Sequence, residues 1–154
     1  KYINDLPPQS KELGCNPDFN AYTLDVNPRP NAELPFRTGA GHIHIGWRWG
    51  DGRMTRGHFA ACAAIVRELD FTVGLASLQW DKDVKRRKMY GQAGAFRPKP
   101  YGVEYRVCSN AWLQDDRLIG RVYDLTMDTC ERVRQGKFLY DEHGDSAMKA
   151  INAG

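Results

Sequence analysis

Apolar and polar residues recur along this chain with two different periods. Between residues 40 and 49, Ile43, Ile45 and Trp47 alternate with His42, His44 and Gly46, a period of two that predicts a strand carrying both histidines on one face. From Thr55, a residue suited to cap a helix, to about residue 75, Phe59, Cys62, Ala63, Val66, Leu69 and Val73 return at spacings of three and four. That spacing predicts a core-facing helix. Residues 81–90 read as a shorter, strongly basic helix with an Asp cap. Over residues 101–109 Glu104, Arg106 and Cys108 share one face of a second strand, and Val103, Tyr105 and Val107 share the other. A last helix is expected over 111–133, where Leu118, Ile119, Val122, Leu125, Thr126, Thr129, Cys130 and Val133 form a stripe. Pro and Gly cluster in 14–37 and 91–102, which predicts two ordered loops. Strands and helices that do not alternate strictly give the fold class as α+β with a mainly antiparallel sheet.

Composition narrows this picture only slightly. A chain of 154 residues with 42% hydrophobic content is expected to form one domain, 1–154. A net charge of +3, from 22 basic and 19 acidic residues, selects neither nucleic acid nor membrane as a partner. Cys15, Cys62, Cys108 and Cys130 are far apart and are expected to be buried free thiols in a reducing compartment. No apolar run approaches the ~20 residues of a membrane span, and no secretory leader is visible, so a soluble, cytoplasmic protein is expected. Position 1 is Lys, and residues 1–13 read like the tail of an earlier element, so the chain is expected to be a fragment with a missing N-terminal segment.

Three groups of residues could carry chemistry. His42 and His44 on one strand face lie roughly 7 Å apart at ~3.3 Å rise per residue, close enough to share a metal or to divide a metal and a phosphate between them. The alternative is two partly exposed histidines on a sheet, and the small residues before them allow a ligand to approach the backbone. Glu104 and Arg106, two residues apart, could be a surface ion pair worth only about 0–1 kcal/mol. Facing the histidines, Glu104 could instead offer a hard oxygen to Mg2+ while Arg97 and Arg106 hold anionic oxygens. Lys85-Arg86-Arg87-Lys88 reads either as a solvated helix face or as an anion contact. Trp47, Trp49, Trp80 and Trp112 read as core or pocket wall, His58 as a capping or surface residue, and His143 as part of a solvated loop.

Four ordered strings then carry a resemblance: Gly14-Cys-Asn-Pro-Asp18-Phe-Asn20-Ala-Tyr22, Arg37-Thr-Gly-Ala-Gly-His42-Ile-His44-Ile-Gly46, Arg86-Arg-Lys-Met-Tyr90-Gly-Gln-Ala-Gly94, and Arg97-Pro-Lys-Pro-Tyr-Gly-Val-Glu104-Tyr-Arg106 with Ser109-Asn110. The set, which spans most of 14–113, resembles the phage-type COOH·NH2 ligase (amidoligase type 2) family, a relative of glutamate–cysteine ligase and glutamine synthetase. The resemblance implies a glutamine-synthetase-like curved antiparallel sheet that holds ATP and Mg2+. It also implies an activity that joins a carboxylate to an amine, possibly of a peptide, through an acyl-phosphate. By the same resemblance His42 and Glu104 are metal ligands, and His44 lies near the ATP phosphates. Arg97 and Arg106 hold the substrate carboxylate and the transferring phosphoryl group, and Arg86 and Arg87 make a further phosphate or substrate contact. A phage-encoded protein acting in the host cytoplasm is expected. One departure stands out: the superfamily draws further metal carboxylates from an E-x-E strand, whereas Asp18 and Glu33 here are isolated. Two other readings remain, a zinc hydrolase built on His42, His44 and Glu104, and a non-enzymatic nucleic-acid-binding protein using residues 82–88, the less expected of the two.

Overall fold

In the computed structural model, which describes residues 5, 7, 18–28, 39–47 and 55–154, the described residues form an α+β fold. Its sheet has four strands, β1 (Phe19–Asn20), β2 (Ile43–Gly46), β3 (Ala95–Lys99) and β4 (Gly102–Tyr105), in the order β1-β3-β4-β2 with every neighbour antiparallel. Strand β3 corrects the expectation of a loop over 91–102. Pro98 cannot donate to a ladder, but β1 pairs only with Ala95 and Phe96, so Pro98 lies beyond the end of β1 and its missing N–H interrupts nothing. The β3–β4 hairpin turns at Pro100 and Tyr101 into Gly102, whose φ of 154° brings the backbone where any side chain would collide with the Ile45 carbonyl.

Helix α1 (Arg56–Leu69) starts where the sequence placed it, with the Thr55 hydroxyl accepting the His58 N–H at 3.1 Å. Cys62, Ala63, Val66 and Leu69 bury its inner face against Phe96, Val103 and Tyr105 on one side of the sheet. Each large side chain removed from water there contributes roughly 1.5–3 kcal/mol. The helix continues through a π turn, Asp70–Gly74, into a last turn, Leu75–Ser77. This turn carries the fully buried Asp70, which accepts hydrogen bonds from the Tyr105 hydroxyl (2.7 Å), the Tyr22 hydroxyl (2.9 Å) and the Gly94 N–H (2.7 Å). Burial, opposed by those hydrogen bonds, pushes the Asp70 carboxyl up to about 7.

Helix α2 (Val84–Met89) is capped by Asp83, whose carboxylate accepts the Arg86 N–H at 2.8 Å. The single helix expected over 111–133 is two elements: a 3-10 turn, Asn110–Gln114, and α3 (Asp116–Arg134). Asp115 separates them, because its extended backbone and its hydrogen bond from the Arg117 N–H (2.8 Å) make it the cap of a new helix. Short helices α4 (Leu139–His143) and α5 (Ser146–Ala153) close the described chain. Buried Glu68 reaches from α1 to accept the N–H groups of Leu139 and Tyr140, each at 2.9 Å, and so caps α4 from outside. Cys62, Cys108 and Cys130 are free thiols, the first two buried and Cys130 half-buried, while Cys15 lies outside the described residues.

Candidate active site

The face of the sheet turned away from α1 is polar. In the ladder, His44 of β2, Glu104 of β4 and Arg97 of β3 are direct cross-strand partners, so their side chains share this face. Two residues along the strands lie Lys99, at one end, and His42 and Arg106, at the other. The expectation that both histidines lie beside Glu104 and Arg106 on neighbouring strands is therefore met in the geometry.

Glu104 is the centre of the cluster and is only 3% exposed. Its Oε1 accepts from Arg106 and lies 2.9 Å from His42 Nδ1, and its Oε2 lies 2.8 Å from Lys99 Nζ and 3.4 Å from Arg97 Nη1. Burial alone would raise its pKa, but the Lys99 ammonium and the guanidinium groups of Arg106 and Arg97 hold it at about 2. Arg106 is buried with it and directs every nitrogen inward: Nε to Asp18 at 3.0 Å, Nη1 to Glu104, and Nη2 to the Tyr90 hydroxyl.

Burial, and then the charge of Arg106, push His42 down to about 4, so its ring is neutral near pH 7. A carboxylate can only accept, which puts the proton on Nδ1, donated to Glu104. Nε2 then accepts from the Tyr90 hydroxyl at 3.0 Å. His44 is exposed and is held through Nδ1 by the Tyr101 hydroxyl at 2.6 Å.

Asp18 and Tyr90 belong to this cluster although neither was expected there. Asp18 had read as isolated because β1, two residues long, is too short to show a period. Tyr90 stands at the end of α2, and only its place in the string Arg86–Gly94 marked it. Glu33 lies outside the described residues.

Arg86 and Arg87 correct the picture of an exposed basic face. Both are 3% exposed and pair with the buried carboxylate of Asp81, at 3.2 and 3.5 Å. Arg86 spends its other nitrogens on the carbonyls of Val107 (2.9 Å) and Gly39 (3.3 Å), which leaves none for a phosphate. His58 is likewise buried, its Nε2 donating to the Lys99 carbonyl at 2.8 Å beneath the hairpin. The small residue Gly41 serves packing, since a side chain there would meet Trp112 and the Ser109 carbonyl.

The arrangement favours an anion over a bare cation. Among the described residues, Arg97, Lys99 and Arg106 set against Glu104 and Asp18 leave one net positive charge, and Arg97 and Lys99 keep 17% and 25% of their side chains exposed at the rim. Mg2+ prefers several oxygen ligands in an octahedron. Here the pair expected to hold it offers one imidazole with both nitrogens engaged and one carboxylate with both oxygens engaged by cations. Among the described residues no group of three or more metal-ligating side chains is assembled. As arranged, His42 and Glu104 do not fit Mg2+. No described helix is long and apolar enough to cross a membrane.

Neither a curated protein nor a solved structure matches the chain significantly. The model of the family described as Phage phiEco32-like COOH.NH2 ligase-type 2 matches residues 27–139, a span that holds His42, His44, Tyr90, Arg97, Lys99, Glu104 and Arg106, and the chain belongs to that family.

Proposed function

We propose that the protein is an ATP-dependent ligase that joins a carboxylate to an amine through an acyl-phosphate, working on the polar face of a glutamine-synthetase-like sheet. The observation that carries this reading is the net-positive rim around buried Glu104, in a chain whose family is named for carboxylate–amine ligation. In the reaction, a carboxylate oxygen of the acid attacks the γ-phosphorus of ATP. The bond from phosphorus to the β,γ-bridging oxygen breaks, and ADP leaves with its electron pair. The amine nitrogen then attacks the acyl carbon, the carbon–oxygen bond to phosphate breaks, and inorganic phosphate departs as the nitrogen loses a proton.

Phosphoryl transfer of this kind needs mainly fixed positive charge and positioning. Arg97 and Lys99, at the rim, hold oxygens of the carboxylate and the phosphoryl group, and exposed His44 contacts the phosphates. Arg106, with every nitrogen bound to protein, is a positioning residue that fixes Glu104 and Tyr90. The metal role expected of His42 and Glu104 is not part of this proposal. A zinc hydrolase is less well supported, because both ring nitrogens of His42 already have protein partners, which leaves His44 alone of the pair with a nitrogen for a metal. The nucleic-acid reading loses Arg86 and Arg87 to the interior.

Hydroxylamine, a strong amine nucleophile, tests the reading by trapping an acyl-phosphate as a hydroxamate. With MgATP and a mixture of carboxylic acids, hydroxamate and ADP are expected in equal amounts, and neither without an acid. ADP formed at the same rate with and without acid would make the protein a nucleotidase and overturn the proposal.

A further inference from the structure

The polar face continues into a cavity that the ligase reading does not use. It has a volume of about 570 Å³ and runs along the edge of β2 that has no strand neighbour among the described residues. Residues 42–46 in succession line one side; Trp112 and the α3 residues Ile119, Val122, Tyr123 and Met127 line the other. Ile119, Tyr123 and Met127 recur every four residues and are 37%, 63% and 49% exposed. A helix stripe of that spacing normally faces a partner.

Three features identify the occupant. The volume falls within the ~300–1,000 Å³ range of small-molecule sites. The α3 wall is apolar and aromatic, while His42 and His44 line both the cavity and the polar face. His44 engages Tyr101 through Nδ1, and its Nε2 has no protein partner among the described residues, so it can donate to an anion. An anion there would also meet the net-positive row of Lys99 and Arg97 across the sheet.

We propose that the acid substrate carries an apolar or aromatic body, which lies between β2 and α3 while its carboxylate lies at the edge of the cationic row, beside His44 and the phosphate that His44 contacts. This inference rests on the ligase reading. It assigns specificity to Tyr123 and Met127, both exposed on α3.

Calorimetric titration with 4-phenylbutyrate, acetate and 4-phenylbutylamine, without nucleotide, tests it. Phenylbutyrate is expected to bind at least about 10-fold more tightly than either of the others, a difference of about 1.4 kcal/mol. The double substitution Tyr123→Ser, Met127→Ser is expected to weaken phenylbutyrate by about 10-fold and leave ATP binding unchanged. Equal binding of acetate, equal binding of the amine, or a double variant that binds phenylbutyrate like the parent would each overturn the inference. Absence of ATP binding would instead count against the ligase reading, so the two failures are separable.

Discussion

Glu104 and His42 set the acid behaviour of the molecule. Glu104 ionises at about 2 in the fold against an ordinary 4.5, so it binds fewer protons folded than unfolded below pH 4.5. Its contribution to stability is full above 4.5 and is lost as pH falls towards 2. His42, held down at about 4 against 6.5, gives a loss that begins earlier, as pH falls from 6.5 to 4. The opposing titration of Asp70 is common to the parent and to His42→Gln, so the stability of the parent relative to that variant, read from denaturant melts, should fall as pH drops from 6.5 to 4. A difference that stays flat across this range would place the titration elsewhere. Replacing Glu104 by Gln should do more than weaken catalysis. Near-isosteric shape suggests from sequence alone that folding would survive unharmed, but Arg106 would keep only one carboxylate partner, Asp18. Breaking a buried pair costs about 3–5 kcal/mol, so a markedly lowered melting temperature is expected. A melting temperature within a degree of the parent's would show that the cluster contributes little to the fold. Asp81→Asn makes the parallel case for Arg86 and Arg87: a stability loss of similar order, with ATP affinity unchanged in the protein that remains folded.

At the scale of elements, what could be read from sequence was whatever had a clear period. The histidine strand, the start of α1 at Thr55, and the split of Glu104 and Arg106 from Val103 and Tyr105 all follow from alternation or a three-four spacing. Elements were misread where local signals and tertiary context disagree. Pro98 and the flanking glycines look like strand breakers, yet a proline is tolerated where the neighbouring strand has ended. The apolar stripe of 111–133 runs across Asp115, and a stripe does not reveal a cap. The π turn at Asp70–Gly74 has no period of its own, and its carboxylate ties α1 to Tyr105, Tyr22 and Gly94. Because Asp70 holds its proton to about 7 in the fold against 3.8 when unfolded, its contribution falls as pH rises between those values. Asp70→Asn lacks that titration. Its stability relative to the parent should rise between pH 4 and pH 7, and a difference that stays flat in urea melts would show that Asp70 is ionised throughout.

For the whole molecule, the sequence reading brings candidate residues together but does not contain the charge balance around them. His42 with His44, and Glu104 with Arg106, could be grouped by strand parity, which is a one-dimensional property; Arg97 could not, because 91–102 reads as a loop. Asp18, Lys99 and Tyr90 join them only because the order β1-β3-β4-β2 brings distant segments to one face, and no period in the sequence contains that order. Burial of Arg86 and Arg87 is likewise a consequence of packing against Asp81. Among the described residues the result is a site with cations at its rim around engaged carboxylates, which is why ATP and an acid, both anions, are proposed as its ligands. In the absence of nucleotide, millimolar Mg2+ should leave the melting temperature unchanged, and a clear rise would restore His42 and Glu104 as a metal pair.

The central claim is that the Arg97–Lys99 rim binds the phosphates of ATP, and calorimetric titration of MgATP tests it most directly. The parent should bind, and Arg97→Met, Lys99→Met should bind at least about 10-fold more weakly, since each charge-assisted contact contributes roughly 1.5–3 kcal/mol. The double variant removes both cations from buried Glu104 Oε2 and should melt below the parent, so binding is compared at a temperature where both proteins are folded. A folded double variant that binds MgATP as tightly as the parent, or a parent that binds none, would contradict the account.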